Sequence, residues 1–118
     1  MLKLSETRRV YTRRQHSQYV FCNQFQYDDT SELIILSSQM KSIMLDISTG
    51  GIGLLSEYKF EIGNLLYLKL SLENDEHEVK SKVIYCKPVG EMFRIGVEFV
   101  DTNEFILDAI NKFFQNYR

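Results

Sequence analysis

The sequence predicts a mainly β fold: a six-stranded antiparallel β-barrel, a C-terminal α-helix packed on it, and a flexible N-terminal arginine arm. Three observations carry this. Apolar and polar residues alternate in short runs between residues 15 and 100, the period of half-buried strands. Short polar or glycine-containing turns separate the runs, as in barrels that leave few strand edges exposed. Beyond residue 100 the apolar period lengthens to that of a helix.

The 118 residues suit one domain, divided into an arm (1–14), a barrel (15–100) and a helix (101–118), and are enough to bury a core without disulfides or metal. With 25% charged and 13% aromatic residues the composition is that of an ordinary globular chain, so disorder is expected only in the arm. No apolar run approaches the roughly 18 residues of a membrane helix, and Met1-Leu2-Lys3-Leu4 leads into polar residues and not into a signal-peptide core, so a cytoplasmic location is expected. Cys22 and Cys86 lack C-x-x-C spacing and read as reduced, packed thiols.

The barrel elements follow in order. Between Gln15 and Tyr27, Tyr19, Phe21 and Phe25 fall on alternate positions of a first strand whose other face is wet. Asp28-Asp29-Thr30-Ser31 is a turn. Leu33-Ile34-Ile35-Leu36 reads as a second strand, Ser37-Ser38-Gln39 as a polar break or bulge, and Ser42–Ser48 as a third strand with Ile43, Leu45 and Ile47 on its apolar face. Leu66, Leu68, Leu70 and Leu72 alternate with Tyr67, Lys69 and Ser71, the clearest half-buried strand in the chain. After the Glu73-Asn74-Asp75-Glu76 turn, Val79, Ser81, Val83 and Tyr85 continue the alternation to Pro88, which is expected to end that strand. Gly90 turns the chain, and Ile95, Val97 and Phe99 alternate with Arg94, Gly96 and Glu98 in a last strand, Gly96 marking a kink or a close backbone approach. Asp101 and Glu104 have the spacing of a capping box, and Ile106, Ala109, Ile110, Phe113 and Tyr117 recur at helical spacing. This stripe predicts a helix lying on the barrel, or else docking a partner.

The formal charge of −2 is unevenly spread: residues 1–14 carry a local balance of +4, leaving −6 for the remainder. Four of the six arginines, Arg8, Arg9, Arg13 and Arg14, lie within seven residues of this arm. A nucleic-acid binder usually shows a broad basic face, whereas a short arginine arm on an acidic body suits a small anionic ligand. Arginine pairs bidentately with phosphate or a guanine edge and stacks on flat rings. Taken alone, the arm equally fits a solvated basic tail.

The complementary half is Asp46-Ile47-Ser48-Thr49-Gly50-Gly51-Ile52-Gly53, where a strand delivers a carboxylate and a hydroxyl to a glycine corner. An ionised carboxylate only accepts hydrogen bonds and suits the paired N–H donors on a guanine edge, while a hydroxyl both donates and accepts. Gly50 and Gly51 give a ligand room and permit positive φ, although glycines alone also fit a bulged hairpin corner. No histidine or lysine stands beside Ser48 to activate it, and His16 and His77 have no metal-ligand spacing, so neither catalysis nor a metal site is expected.

Arg9-Val10-Tyr11-Thr12-Arg13 fits an R-x-x-x-R arm, Asp46 to Gly51 fits D-x-S-x-x-G, and Phe93-Arg94-Ile95-Gly96-Val97-Glu98-Phe99-Val100-Asp101 looks like a closing strand of the same family. In order and spacing these three resemble the PilZ domain over essentially the whole chain. The resemblance implies a bacterial, non-enzymatic receptor for the second messenger cyclic di-GMP. In it Arg9 and Arg13 grip guanine edges and phosphates, flanked by Arg8 and Arg14, and Asp46, Ser48, Gly50 and Gly51 provide the barrel side. A change of conformation on binding is expected to pass the signal to an unidentified downstream protein partner, the receptor being a monomer or weak homodimer with no cofactor, no nucleic acid and no membrane insertion. Two alternatives stay open: a PilZ-like adaptor that binds no nucleotide, and an OB-like nucleic-acid module.

Overall fold

The computed structural model describes residues 18–72 and 75–116. Six strands, β1 (Tyr19–Gln26), β2 (Ile34–Ile47), β3 (Gly51–Ser56), β4 (Leu65–Leu72), β5 (Asp75–Val89) and β6 (Met92–Asp101), precede one helix, α1 (Glu104–Asn116). The strands close into a barrel in the order β1-β2-β3-β6-β5-β4, and every neighbouring pair is antiparallel. Closure removes the unpaired edges that an open sheet of these strands would expose. Among the described residues no helix is long and apolar enough to cross a membrane.

The core follows the alternation where the ladder is regular. Leu66, Leu68, Leu70 and Leu72 are each 1% exposed, and Val79, Ser81 and Val83 on the adjacent β5 lie beside them on the inner face, fully buried. Burying one such leucine contributes about 1.5–3 kcal/mol, so β4 supplies much of the core from a single strand. Ile106, Ala109, Ile110 and Phe113 of α1 join the same buried cluster, so the helix lies on the barrel as its stripe predicts. Gly63 (φ 99°) and Gly90 (φ 63°) occupy left-handed turns before β4 and between β5 and β6.

The structure corrects the reading of five elements. Leu33–Leu36 and Ser42–Ser48 are not two strands: β2 runs unbroken from Ile34 to Ile47, with Ser37–Gln39 inside an irregular stretch opposite Cys22–Gln24. The count of six is restored by β3, which begins inside the glycine corner. On β1 the inward residues are Val20 and Cys22, while Tyr19 is 43% exposed. The register shift after Cys22 then changes the parity, so that Phe25 packs on the core. Pro88 does not end β5, which continues to Val89. Beyond Val83, whose N–H and carbonyl still bond to Asn64 and Gly63, β5 is laddered to β6 alone among the described residues, and a proline is tolerated on such an edge. Finally, Asp101 belongs to β6, paired with Lys80, and the helix is capped by Asn103, whose Oδ1 accepts the Ile106 N–H at 3.0 Å.

Candidate functional site

Asp46 reaches the outside of the barrel through a bulge. Met40, Ser42 and Met44 of β2 are buried, and strict alternation would carry Asp46 inward after them. Met44 pairs with Leu54 and Asp46 with Gly53, so Leu45 is an extra residue that reverses the parity. Ile47 turns inward, 1% exposed, and Asp46 turns outward with its side chain one-third exposed. The expected apolar face of Ile43, Leu45 and Ile47 is thereby corrected: Ile43 and Leu45 are half-buried, and Met44 takes the core position.

Gly53 makes the seat for this carboxylate. A Cβ on Gly53 would lie 2.7 Å from the Asp46 Oδ1, so any larger residue would push the side chain aside. The carboxylate is also met by Arg94 of β6, whose guanidinium stands 3.7 Å from Oδ2. Both groups are well exposed and the separation is long, so this pair is worth less than about 1 kcal/mol and leaves the carboxylate available to another donor.

Ser48 follows β2 in a tight hairpin closed by the Ser48 N–H donating to the Gly51 carbonyl at 2.9 Å. The Ser48 hydroxyl accepts the Gly50 N–H at 3.2 Å, which fixes its position at the corner. Gly50 is exposed, and a Cβ there would touch only the Ser48 Oγ at 3.9 Å. Its carbonyl accepts the Phe99 N–H, tying the corner to β6. Gly51 has a structural reason to be glycine: a Cβ would collide with the Val97 carbonyl of β6. Gly50, Gly51 and Gly53 all keep ordinary backbone angles, so the corner uses its glycines for space and not for positive φ.

Asp46, Ser48, Gly50 and Gly51 are thus brought together on one outer edge of the barrel, between β2, β3 and β6. Arg8, Arg9, Arg13 and Arg14 lie outside the described residues. Sequence reasoning did not place Arg94 or Gly53 among the site residues, although Gly53 was read as part of the glycine corner. The signal was present, because alternation in the last strand puts Arg94, Gly96 and Glu98 on the outer face, beside the glycines of the corner. Among the described residues no three His, Cys, Asp or Glu side chains are grouped to hold a metal ion. A separate cleft of about 320 Å³ brings Asp28 and Asp29 against Lys80 and Lys82, and its opposite charges offset one another.

A family model for the PilZ domain matches residues 7–114. Among solved structures, the chain is similar to the PilZ domain, with c-di-GMP, of YcgR from Escherichia coli, at a TM-score of 0.63 and 12% identity, covering 89% of this chain and 91% of that one. It is also similar to the PilZ domain of CeSA from a cellulose-synthesizing bacterium, at a TM-score of 0.53 and 13% identity, covering 89% and 97%. No curated protein sequence matches. At these identities the structural likeness carries the barrel alone. The family match spans the four arginines of the arm, the glycine corner, the closing strand and most of the helix, and by it the chain belongs to the PilZ domain family.

Proposed function

We propose that this chain is a bacterial receptor for cyclic di-GMP, acting by binding and not by catalysis. The observation that carries the proposal is the corner itself: a carboxylate one-third exposed, a fixed hydroxyl and glycine backbone on one outer edge of the barrel. Membership of the PilZ family, and a fold shared with a PilZ domain solved with c-di-GMP, supply the ligand's identity. Asp46 exchanges its loose contact with Arg94 for the paired N–H donors of a guanine edge, the ionised carboxylate being able only to accept. Ser48 and the Gly50–Gly51 backbone border the sugar-phosphate side. Arg9 and Arg13, flanked by Arg8 and Arg14, close on the ligand from the side opposite the barrel and neutralise its phosphates. The ligand thereby ties arm to corner, and the composite surface is what a downstream partner protein reads.

Calorimetric titration with cyclic di-GMP, against cyclic GMP and GTP, tests this. The dinucleotide is expected to bind and the two mononucleotides to bind far more weakly. Hydrogen bonds to charged groups are worth roughly 1.5–3 kcal/mol, so Asp46→Ala, Arg9→Ala and Arg13→Ala should each weaken binding about tenfold to a hundredfold. Equal affinity in all three variants would remove both arm and corner from the site.

A further inference from the structure

A row of cross-strand partners crosses the outside of the barrel at the corner: Asp46 on β2, Gly53 on β3, Gly96 on β6 and Tyr85 on β5. Its two ends are built alike. A bulge at Leu45 turns Asp46 outward onto Gly53. A second bulge, with Ile84 as the extra residue between Val83 and Tyr85, turns Tyr85 outward onto Gly96, where alternation from Val79, Ser81 and Val83 would have sent it inward. The Tyr85 ring occupies the space that a Cβ on Gly96 would need, as the Asp46 carboxylate does over Gly53. Because Gly53 and Gly96 are direct partners on adjacent strands, about 4.8 Å apart, the carboxylate and the ring stand side by side over a floor without side chains.

The neighbouring outward row adds charge of one sign. Arg94 is the direct partner of Lys87, an arrangement unfavourable for two cations unless an anion lies nearby. Arg94 leans toward Asp46, and the Lys87 ammonium lies over the Tyr85 ring, 5.6 Å from its centroid, a loose cation–π contact that a stacking base would displace toward its own phosphate. A carboxylate for an N–H edge, an aromatic face beside it and two cations along the rim together match a purine base carrying a phosphate.

We propose that Tyr85 is a ligand contact of this site: a guanine held at its edge by Asp46 stacks on the Tyr85 ring, with Lys87 and Arg94 facing the attached phosphate. This rests on the cyclic di-GMP reading above and extends it to a third strand of the barrel. The chain contains no tryptophan, so Tyr85→Trp places a sole indole at the position. Titrating that variant with cyclic di-GMP should quench its emission in step with binding followed independently by calorimetry. Tyr85→Leu, which keeps an apolar cover on Gly96, should bind about tenfold more weakly, whereas Tyr85→Phe, which keeps the ring, should bind within about twofold of the parent chain. Calorimetric binding with unchanged indole emission and full affinity in Tyr85→Leu would overturn the proposal, leaving Tyr85 as a cover for Gly96 and the receptor reading intact. Absence of binding by the parent chain would overturn both. Should Tyr85→Leu fail to fold, the indole signal decides alone.

Discussion

Asp46 and Gly53 depend on each other, and the two neighbouring glycines of β3 therefore answer differently to the same substitution. In Gly53→Ala the new methyl first meets the carboxylate end of the Asp46 side chain, which can swing away. Stability should change by less than about 1 kcal/mol, part of the strain being offset by reduced freedom of the unfolded chain, while affinity for cyclic di-GMP falls about tenfold as the carboxylate leaves its seat. In Gly51→Ala the methyl meets the Val97 backbone, which cannot move without disturbing the β3–β6 ladder. A loss of about 1–3 kcal/mol in chemical denaturation is expected there. At the turn between β1 and β2, the Thr30 and Ser31 hydroxyls and the Thr30 N–H all donate to the Asp28 Oδ1, at 2.7, 2.8 and 2.9 Å. The two hydroxyl bonds, Thr30's first, hold the Asp28 carboxyl below its ordinary 3.8. A depressed folded value means that the contribution is present above the unfolded value and lost as pH falls through the folded one. Asp28→Ala should therefore be less stable than the parent chain at pH 7, and the gap in thermal melts should close on acidification below pH 3.8.

The elements divide by whether their ladder is regular. The β4 leucines and the stripe of α1 were legible because nothing interrupts their period: four leucines at alternate positions on one strand, four apolar residues at helical spacing on the helix. Faces were misread at three register shifts, at Cys22–Gln24, at Leu45 and at Ile84, because an extra residue leaves no compositional mark while it turns the following side chains to the opposite face. The outward aim of Asp46 was foreseen for the wrong reason, from an apolar face at Ile43 and Leu45, and that of Tyr85 was not foreseen at all. Strand β3 was hidden because Gly51 and Gly53 occupy its outer positions, which removes the polar half of the alternation. The helix start was displaced for a different reason. Asp101 and Glu104 have capping-box spacing, but Asp101 is held in the β6 ladder, and Asn103 is the residue that reaches the free Ile106 N–H. Asn103→Ala should lower stability by about 1 kcal/mol through loss of the cap, and Asp101→Ala by clearly less, read from urea midpoints of the two variants.

At the scale of the molecule, the barrel closes and buries its core so that its outer surface is free for recognition, and the two bulges flank the glycine floor on which the proposed ligand lies. The arginine arm and the D-x-S-x-x-G motif identified the family directly from the residues, and the motif named one edge of the proposed site. The width of the proposed site was illegible, because it depends on β3 lying between β2 and β6, with β5 beyond, an order that local patterns do not encode. The central claim is that cyclic di-GMP lies on this outer edge. It is tested most directly by following backbone amide resonances of the labelled full chain during titration with the dinucleotide. Saturable shifts are expected at Ser48, Gly50, Gly51, Gly53 and Gly96, with small changes along the β4 leucines. Shifts confined to the Asp28–Lys80 cleft or to the exposed face of α1, with the corner amides unmoved at saturation, would contradict the account.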